Sequence, residues 1–328
     1  MSTRRSLIAL ATVLAVSSTI AQAQTPAEKH LASDKFTLVV PFPAGGAMDA
    51  LARLLADGLA KRYDQATVVD NAPGGAGTIG MGKVKRAKAD GHTLLVIPAG
   101  NLTINPTLMP KFPFDIQKDF VAVAMLATTP NVLVTTPKTG FKNVNDVIRQ
   151  AKAKPGSLFY ASTGMGSGLH IAGELFKDQA NVDIQHVAYR GSTPAINDLM
   201  AGTVPLMFSN LPTVLPHLES GRLVALGLTD RARSPSAPDI PTLAEQGVPG
   251  VIVPSWYGLL APGGTPPDVV EQLYKDATEI LAQPQVREAL KAQGMTEWNM
   301  KPAAFDAYIR EETARWAKVI QARNITME

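Results

Sequence analysis

Short apolar, β-rich runs along this chain repeatedly end in glycine- and hydroxyl-rich loops that open onto helical patterns. This order constrains the fold more than any other feature. Phe36 to Val40 stops at Pro41, and a helical pattern follows from about Met48 to Lys61, with Leu51, Leu54, Leu55 and Leu59 on one face. Thr67-Val68-Val69 leads through a glycine-rich loop to a helical stretch near Thr78 to Ala89, and Thr93 to Ile97 is a third strand. Strand–helix–strand order needs crossover connections, which predicts an α/β fold with a parallel sheet.

Val121–Met125 and Asn131–Thr135 read as further strands. A second α/β unit follows, with helices over Val144–Ala153, Leu169–Gln179 and Pro194–Ala201 and a helical turn Leu211–Leu218. Its strands are Leu158–Ser162, Ile184–Tyr189, Pro205–Ser209 and Val224–Thr229. Ser255–Leu260 reads as a returning strand. Beyond it Pro266–Gln283, Gln285–Gln293 and Pro302–Arg323 are helical, with almost no strand signal. Phe305, Tyr308, Ile309, Thr313, Trp316 and Ile320 share helical spacing, so Trp316 reads as packing. The expected layout is a first lobe (24–131 plus 257–328) and a second lobe (132–256), with the last helices packed on the first. Strand-like hinge segments are expected near 130–136 and 252–261.

The N-terminus reads as an export signal. Arg4 and Arg5 precede Leu7–Val16, an apolar run of about ten residues, half of the roughly 20 that span a bilayer. Ala21-Gln22-Ala23 then places small residues around a bulkier one, as in a signal peptide (1–23) cleaved after Ala23. This predicts a periplasmic mature chain from Gln24; the arginine pair leaves general (Sec) and twin-arginine (Tat) export both open. Removing Arg4 and Arg5 lowers Lys+Arg from 31 to 29 against Asp+Glu 28, a net charge of +1. So balanced a charge gives no basis for binding nucleic acid or an anionic membrane. Cysteine is absent, which excludes disulfides, thiol catalysis and cysteine-ligated metals.

In open α/β sheets, ligands sit outside the carboxyl ends of the strands. Pro43-Ala44-Gly45-Gly46-Ala47 lies there, between strand and helix. Its glycines let backbone N–H groups converge, and the helix start adds partial positive charge, so the loop can hold a carboxylate without a cation. Asp49 falls near the third position of that helix, where capping and dipole compensation are its simplest role. A hydrogen bond to a ligand amino or hydroxyl group is the sharper one. Asn71 to Gly80 is the second loop. Gly75, Gly77 and Gly80 fit G-x-G-x-x-G, but the loop follows the second strand and no acidic residue ends the next, so it is not read as a nucleotide site. Ala99-Gly100-Asn101 is the third loop.

The second unit adds Ser162 to Gly168 and Tyr189 to Pro194. Thr193 followed by Pro194 reads as the helix cap and first helical position. Arg190 is the fixed cation in this set and could pair with a distal carboxylate. Catalytic signatures are missing. Ser167 lacks G-x-S-x-G spacing, and His30, His92, His170, His186 and His217 are scattered, with no metal spacing. His170, at a helix start, reads as structural.

These loops also carry a family resemblance. Leu38–Asp49 (LVVPFPAGGAMD), Asp70–Gly80 (DNAPGGAGTIG), Ala161–Phe176 (ASTGMGSGLHIAGELF), His186–Leu199 (HVAYRGSTPAINDL) and Trp256–Pro262 (WYGLLAP) resemble the Bug-type periplasmic solute-binding proteins of tripartite tricarboxylate transporter systems. The resemblance implies a two-lobed periplasmic-binding-protein fold of the type II, Venus-flytrap kind that closes on a small carboxylate, aliphatic or aromatic, without a cofactor. It also implies delivery by a monomer to a membrane permease. The candidate ligand contacts are Ala44, Gly45, Gly46, Ala47, Asp49, Gly77, Thr78, Asn101, Ser162, Thr163, Gly164, Ser167, Arg190, Thr193 and Asp198. The family pattern often has lysine at Arg190 and proline at Ala188, which leaves the ligand's identity open. A sensor partner of a membrane kinase and an exported hydrolase are the other classes the sequence allows.

Overall fold

The computed structural model describes residues 24–322, 325 and 326; the signal-peptide assignment lies outside them. The strands in chain order are β1 (Phe36–Val40), β2 (Thr67–Asn71), β3 (Thr93–Pro98), β4 (Phe120–Thr129), β5 (Asn131–Thr135) and β6 (Leu158–Ser162). β7 (Ile184–Ala188), β8 (Leu206–Asn210), β9 (Val224–Leu228), β10 (Ser255–Pro262) and β11 (Thr296–Met300) complete them. They form a six-stranded sheet in the order β11-β4-β10-β3-β1-β2 and a five-stranded sheet in the order β7-β6-β8-β5-β9. β1 runs parallel to β2 and β3, and β6 runs parallel to β7 and β8. Each sheet therefore has a parallel part whose strand ends point their following loops the same way.

Helix Ala47–Tyr63 shows how the sequence pattern becomes packing. Met48, Leu51, Ala52, Leu55, Ala56, Leu59 and Tyr63 are buried along one side, against Leu38 and Val40 of β1 and Leu94 and Val96 of β3. Burying each large side chain contributes about 1.5–3 kcal/mol, which outweighs the modest helix propensity of the segment's polar face.

The sheets are joined where β4 gives way to β5 across Pro130 alone, and where the chain returns through Val253 into β10. Asn131 clamps both passages. It is fully buried, and its Nδ2 donates to the Val253 carbonyl at 2.7 Å. Its Oδ1 accepts from Asn210 Nδ2 at 2.7 Å and from Ser255 Oγ at 2.9 Å. The Thr229 N–H donates to the Asn131 carbonyl at 2.8 Å, and the Val253 N–H to the Thr229 carbonyl at 3.0 Å. Every polar atom of the Asn131 amide group is thus paired inside the crossing.

The final helix, Pro302–Ala322, serves both sheets rather than the first alone. Phe305 and Ile309 pack with Met125, Trp256 and Leu260 of the first sheet. Trp316 and Ile320 pack in the core of the second, with Tyr160, Phe176 and Phe208. A helix of 21 residues is about 31 Å long at 1.5 Å per residue, long enough to reach across. Trp316 is buried as expected, and its Nε1 donates to Glu312 Oε2 at 3.1 Å. Strand β11 was not foreseen. It is an edge strand whose pairing with β4 is broken by a bulge, and it exposes Thr296, Trp298 and Asn299, so it carries no apolar alternation. The helices Ala99–Thr103 and Asn105–Leu108 were missed because so few residues cannot display a period.

Replacing Asn131 with Ala removes its three side-chain hydrogen bonds and leaves the Val253 carbonyl and the Asn210 amide each with one longer side-chain partner, Thr229 Oγ1 and Ser255 Oγ, both at 3.2 Å. We expect a stability loss of about 1–3 kcal/mol in urea unfolding. A loss below about 0.5 kcal/mol, the ordinary range of a surface change, would show that the clamp contributes nothing.

Candidate functional site

The segment after β3 and the turn after β6 meet at a seam between the sheets, where Gly100 approaches Gly166 and Gly166 approaches Asn105. After β1 the chain enters helix Ala47–Tyr63 through Gly46 in extended conformation, and no side chain caps the helix start. Ala44, Gly45 and Gly46 are exposed there. Buried Asp49 holds this loop from below. Its Oδ2 accepts from the Gly45 N–H at 3.0 Å and from Arg53 Nε at 3.0 Å, while its Oδ1 accepts from Arg53 Nη2 at 3.1 Å and Asn71 Nδ2 at 3.0 Å. Burial pulls the Asp49 carboxyl up, but Arg53, the Gly45 N–H and Asn71 outweigh it and hold it below the usual value. Asp49 therefore shapes the loop, with its acceptor capacity already committed.

The loops after β2 and β3 are tied together. Asn101 Nδ2 donates to the Ala76 carbonyl at 2.6 Å, and Thr78 Oγ1 donates to the Gly75 carbonyl at 2.8 Å. Helix Thr78–Lys85 starts at Gly77 without a side-chain cap.

In the second sheet the hydroxyls divide into committed and free. Ser162 is fully buried; its Oγ lies 2.7 Å from His186 Nε2 and accepts from the Gly164 N–H at 3.2 Å. Ser167 caps helix Gly168–Ala180, its Oγ accepting from the His170 N–H at 3.1 Å and donating to the Gly164 carbonyl at 2.7 Å. Among the described residues Thr163, Thr193 and Arg190 have no hydrogen-bond or ion-pair partner, and the latter two are exposed. Asp198 accepts from Tyr189 OH at 2.7 Å. Burial and this bond push the Tyr189 phenol up to about 12.

The expected cap at Thr193 is corrected. Helix Ser192–Ala201 begins after Gly191, whose φ of 107° turns the chain into the helix two residues earlier. Pro194 is tolerated because N–H groups of a first turn have no helical acceptor. This start, too, has no side-chain cap.

Beneath the Ser162–Gly168 loop, His170 and His186 stack with ring centroids 4.3 Å apart. The Gly166 N–H donates to His170 Nδ1 at 3.4 Å. Tyr160 stacks on His186 and donates to Glu174 Oε1 at 2.7 Å, and Glu174 pairs with Lys177. This cluster escapes a sequence reading because it depends on strand register, which sets Tyr160 opposite His186. A serine hydroxyl on an imidazole suggests a nucleophile and its base. However, Ser162 has no exposed surface for a substrate, and the contact serves to fix the loop. No cluster of His, Cys, Asp or Glu able to hold a metal occurs among the described residues.

A model of the tripartite tricarboxylate transporter family receptor matches residues 51–325. This chain belongs to that family. The family member is 38% identical to BugT of Bordetella pertussis over 285 residues, 87% of each chain. Its fold is similar to that of Rpa4515 from R. palustris, solved with adipate: TM-score 0.85, 36% identity, 90% of this chain and 98% of that one. It is similar also to MatC from Rhodopseudomonas palustris with bound malate: TM-score 0.81, 32% identity, 88% and 99% of the two chains. These likenesses bear out the Bug-type resemblance and the periplasmic-binding-protein fold.

Burial, then His170 and Lys177, lower the His186 pKa from 6.5 to about 3, and burial lowers that of His170 as well. The unfolded chain thus binds more protons below pH 6.5, so stability falls as pH drops from about 6.5 toward 3. Urea unfolding at pH 7 and pH 4.5 should show this loss, and His186→Gln should reduce the difference between the two pH values. An unchanged difference would exclude His186 as its source.

Proposed function

We propose that this chain is a periplasmic receptor that captures a small carboxylate, most readily a dicarboxylate, between two lobes and presents the closed form to the membrane components of a tripartite transporter. Lobe I comprises 24–131 and 257–328 and lobe II 132–256, with the final helix spanning both; residues 1–23 direct export and are removed after Ala23. The receptor works as a monomer without a cofactor and makes no covalent change to its ligand.

One carboxylate meets the exposed Ala44–Ala47 loop, where the uncapped start of helix Ala47–Tyr63 offers N–H groups and positive helix-end potential. Gly77 and Thr78 extend this side. Thr163, Gly164, Thr193 and Arg190 receive the other end. Asp49, Asn101, Ser162, Ser167 and Asp198 hold the loops in place through the bonds described above.

The observation that carries this reading is Arg190. It is an exposed guanidinium with no partner among the described residues, beside the uncapped helix start that follows β7. Among its neighbours, Ser162, Ser167 and Asp198 have their polar side-chain atoms committed, while the Thr163 and Thr193 hydroxyls stay free among the described residues. The adipate and malate bound by the two similar proteins are both dicarboxylates, which fits a site with a second anion anchor.

Isothermal titration with adipate, malate and hexanoate tests the anchor. Arg190→Ala should weaken dicarboxylate binding by about 2–5 kcal/mol, a factor of roughly 30 to several thousand, and leave hexanoate unaffected. Unchanged affinity for every dicarboxylate would remove Arg190 from the site.

A further inference from the structure

The two sheets approach each other closely through backbone at the seam. Gly100 follows β3, and a Cβ on it would lie 3.1 Å from the Gly166 carbonyl oxygen and 3.6 Å from the Gly168 nitrogen. Gly166 follows β6 with φ +74°, and a Cβ there would meet Asn105 Oδ1 at 2.5 Å and Leu108 Cδ2 at 3.4 Å. Both glycines are buried. Asn105 is 3% exposed, and its Oδ1 has no hydrogen-bond partner. That oxygen faces the Gly166 backbone, where a Cα–H contact is the interaction open to it. On its other side Asn105 Nδ2 reaches the Ala76 carbonyl at 3.4 Å, the acceptor Asn101 already holds at 2.6 Å. Ile104 and Leu108 join the second sheet's core with Leu169 and Phe176.

We propose that Gly100, Asn105 and Gly166 form a closure latch, a contact made when the lobes shut and broken when they part. Its residues do not touch the ligand. They position the two halves of the site, because the Asn105 amide reaches the Ala76 loop on one side and meets the Gly164–Gly168 turn on the other. At Gly166 positive φ and the 2.5 Å approach require glycine, and at Gly100 a methyl group would push the backbones apart by a few tenths of an ångström. An orphaned buried acceptor is costly, so opening, which lets water reach Asn105, partly offsets the loss of apolar contact. The latch would hold closure near balance, where a ligand's preference for the closed form decides the population. This inference rests on the proposed capture of a carboxylate between the lobes.

The test compares the wild-type chain with Gly100→Ala and Asn105→Ala by hydrogen exchange, small-angle scattering and stopped-flow binding, with adipate and malate as probes. In the wild type, ligand should slow exchange in peptides 99–108 and 163–170 together. Gly100→Ala should raise the dissociation rate tenfold or more and leave the ligand-free unfolding midpoint within about 1 °C, a change below about 1 kcal/mol at this size. Asn105→Ala addresses the same contact if Gly100→Ala folds poorly. Wild-type dissociation rates and protection in either folded variant would overturn the latch. If the wild type binds none of the carboxylates, the capture reading fails, and the latch is judged on ligand-free protein. There, a larger scattering radius and faster exchange of both peptides in Gly100→Ala support it, and unchanged values overturn it.

Discussion

The chain passes from its first sheet to its second with Pro130 alone between β4 and β5, and the geometry of the seam depends on how that passage is held. A flexible linker would let the loops after β3 and β6 drift apart. Asn131 restricts such movement to a bend by pairing its amide with Val253, Asn210 and Ser255, which belong to the return passage and to the second sheet. The joint is thus strand-like and cross-bonded, and relative motion of the sheets must bend these few residues. The final helix adds a second restraint, since its two halves are buried in different cores.

At the seam, most polar side chains are spent on shape. Asp49 fixes the Gly45 loop, Asn101 the Ala76 loop, and Ser162 with His186 the turn after β6. What remains for a ligand is backbone N–H at uncapped helix starts, a few hydroxyls and Arg190. Such a site suits an anion: helix-end N–H groups are fixed donors that need no reorganisation and carry no countercharge. Burial beneath the loop keeps His186, stacked on His170, neutral down to mildly acidic pH.

Much of this was legible in the sequence. The alternation of apolar runs, glycine loops and helical patterns marked the α/β units, and strand β5 and helix Val144–Ala153 begin and end where the pattern places them. The family motifs fall on the loops that form the seam. What was hidden depends on register and on short elements. The Ser162–His186 contact needs the pairing of β6 with β7. Asn105 sits on a helix too short to show a period, and its relation to Gly166 arises only when the two sheets meet. The helix start at Gly191 was misread because Thr-Pro is a strong local signal, whereas the glycine before it decides the turn. Edge strand β11 has no buried face to announce it.

The claim that joins these parts is that a carboxylate is bound at the seam and stabilises the closed form. Thermal unfolding of the purified chain against mono-, di- and tricarboxylates tests it most directly. A ligand at 100 times its dissociation constant adds about 2.7 kcal/mol, which should raise the midpoint by about 4 °C for a chain of this size. The account predicts such a shift with one or more dicarboxylates and a smaller one with matched monocarboxylates. Folded, ligand-free protein whose midpoint moves with none of them would contradict it.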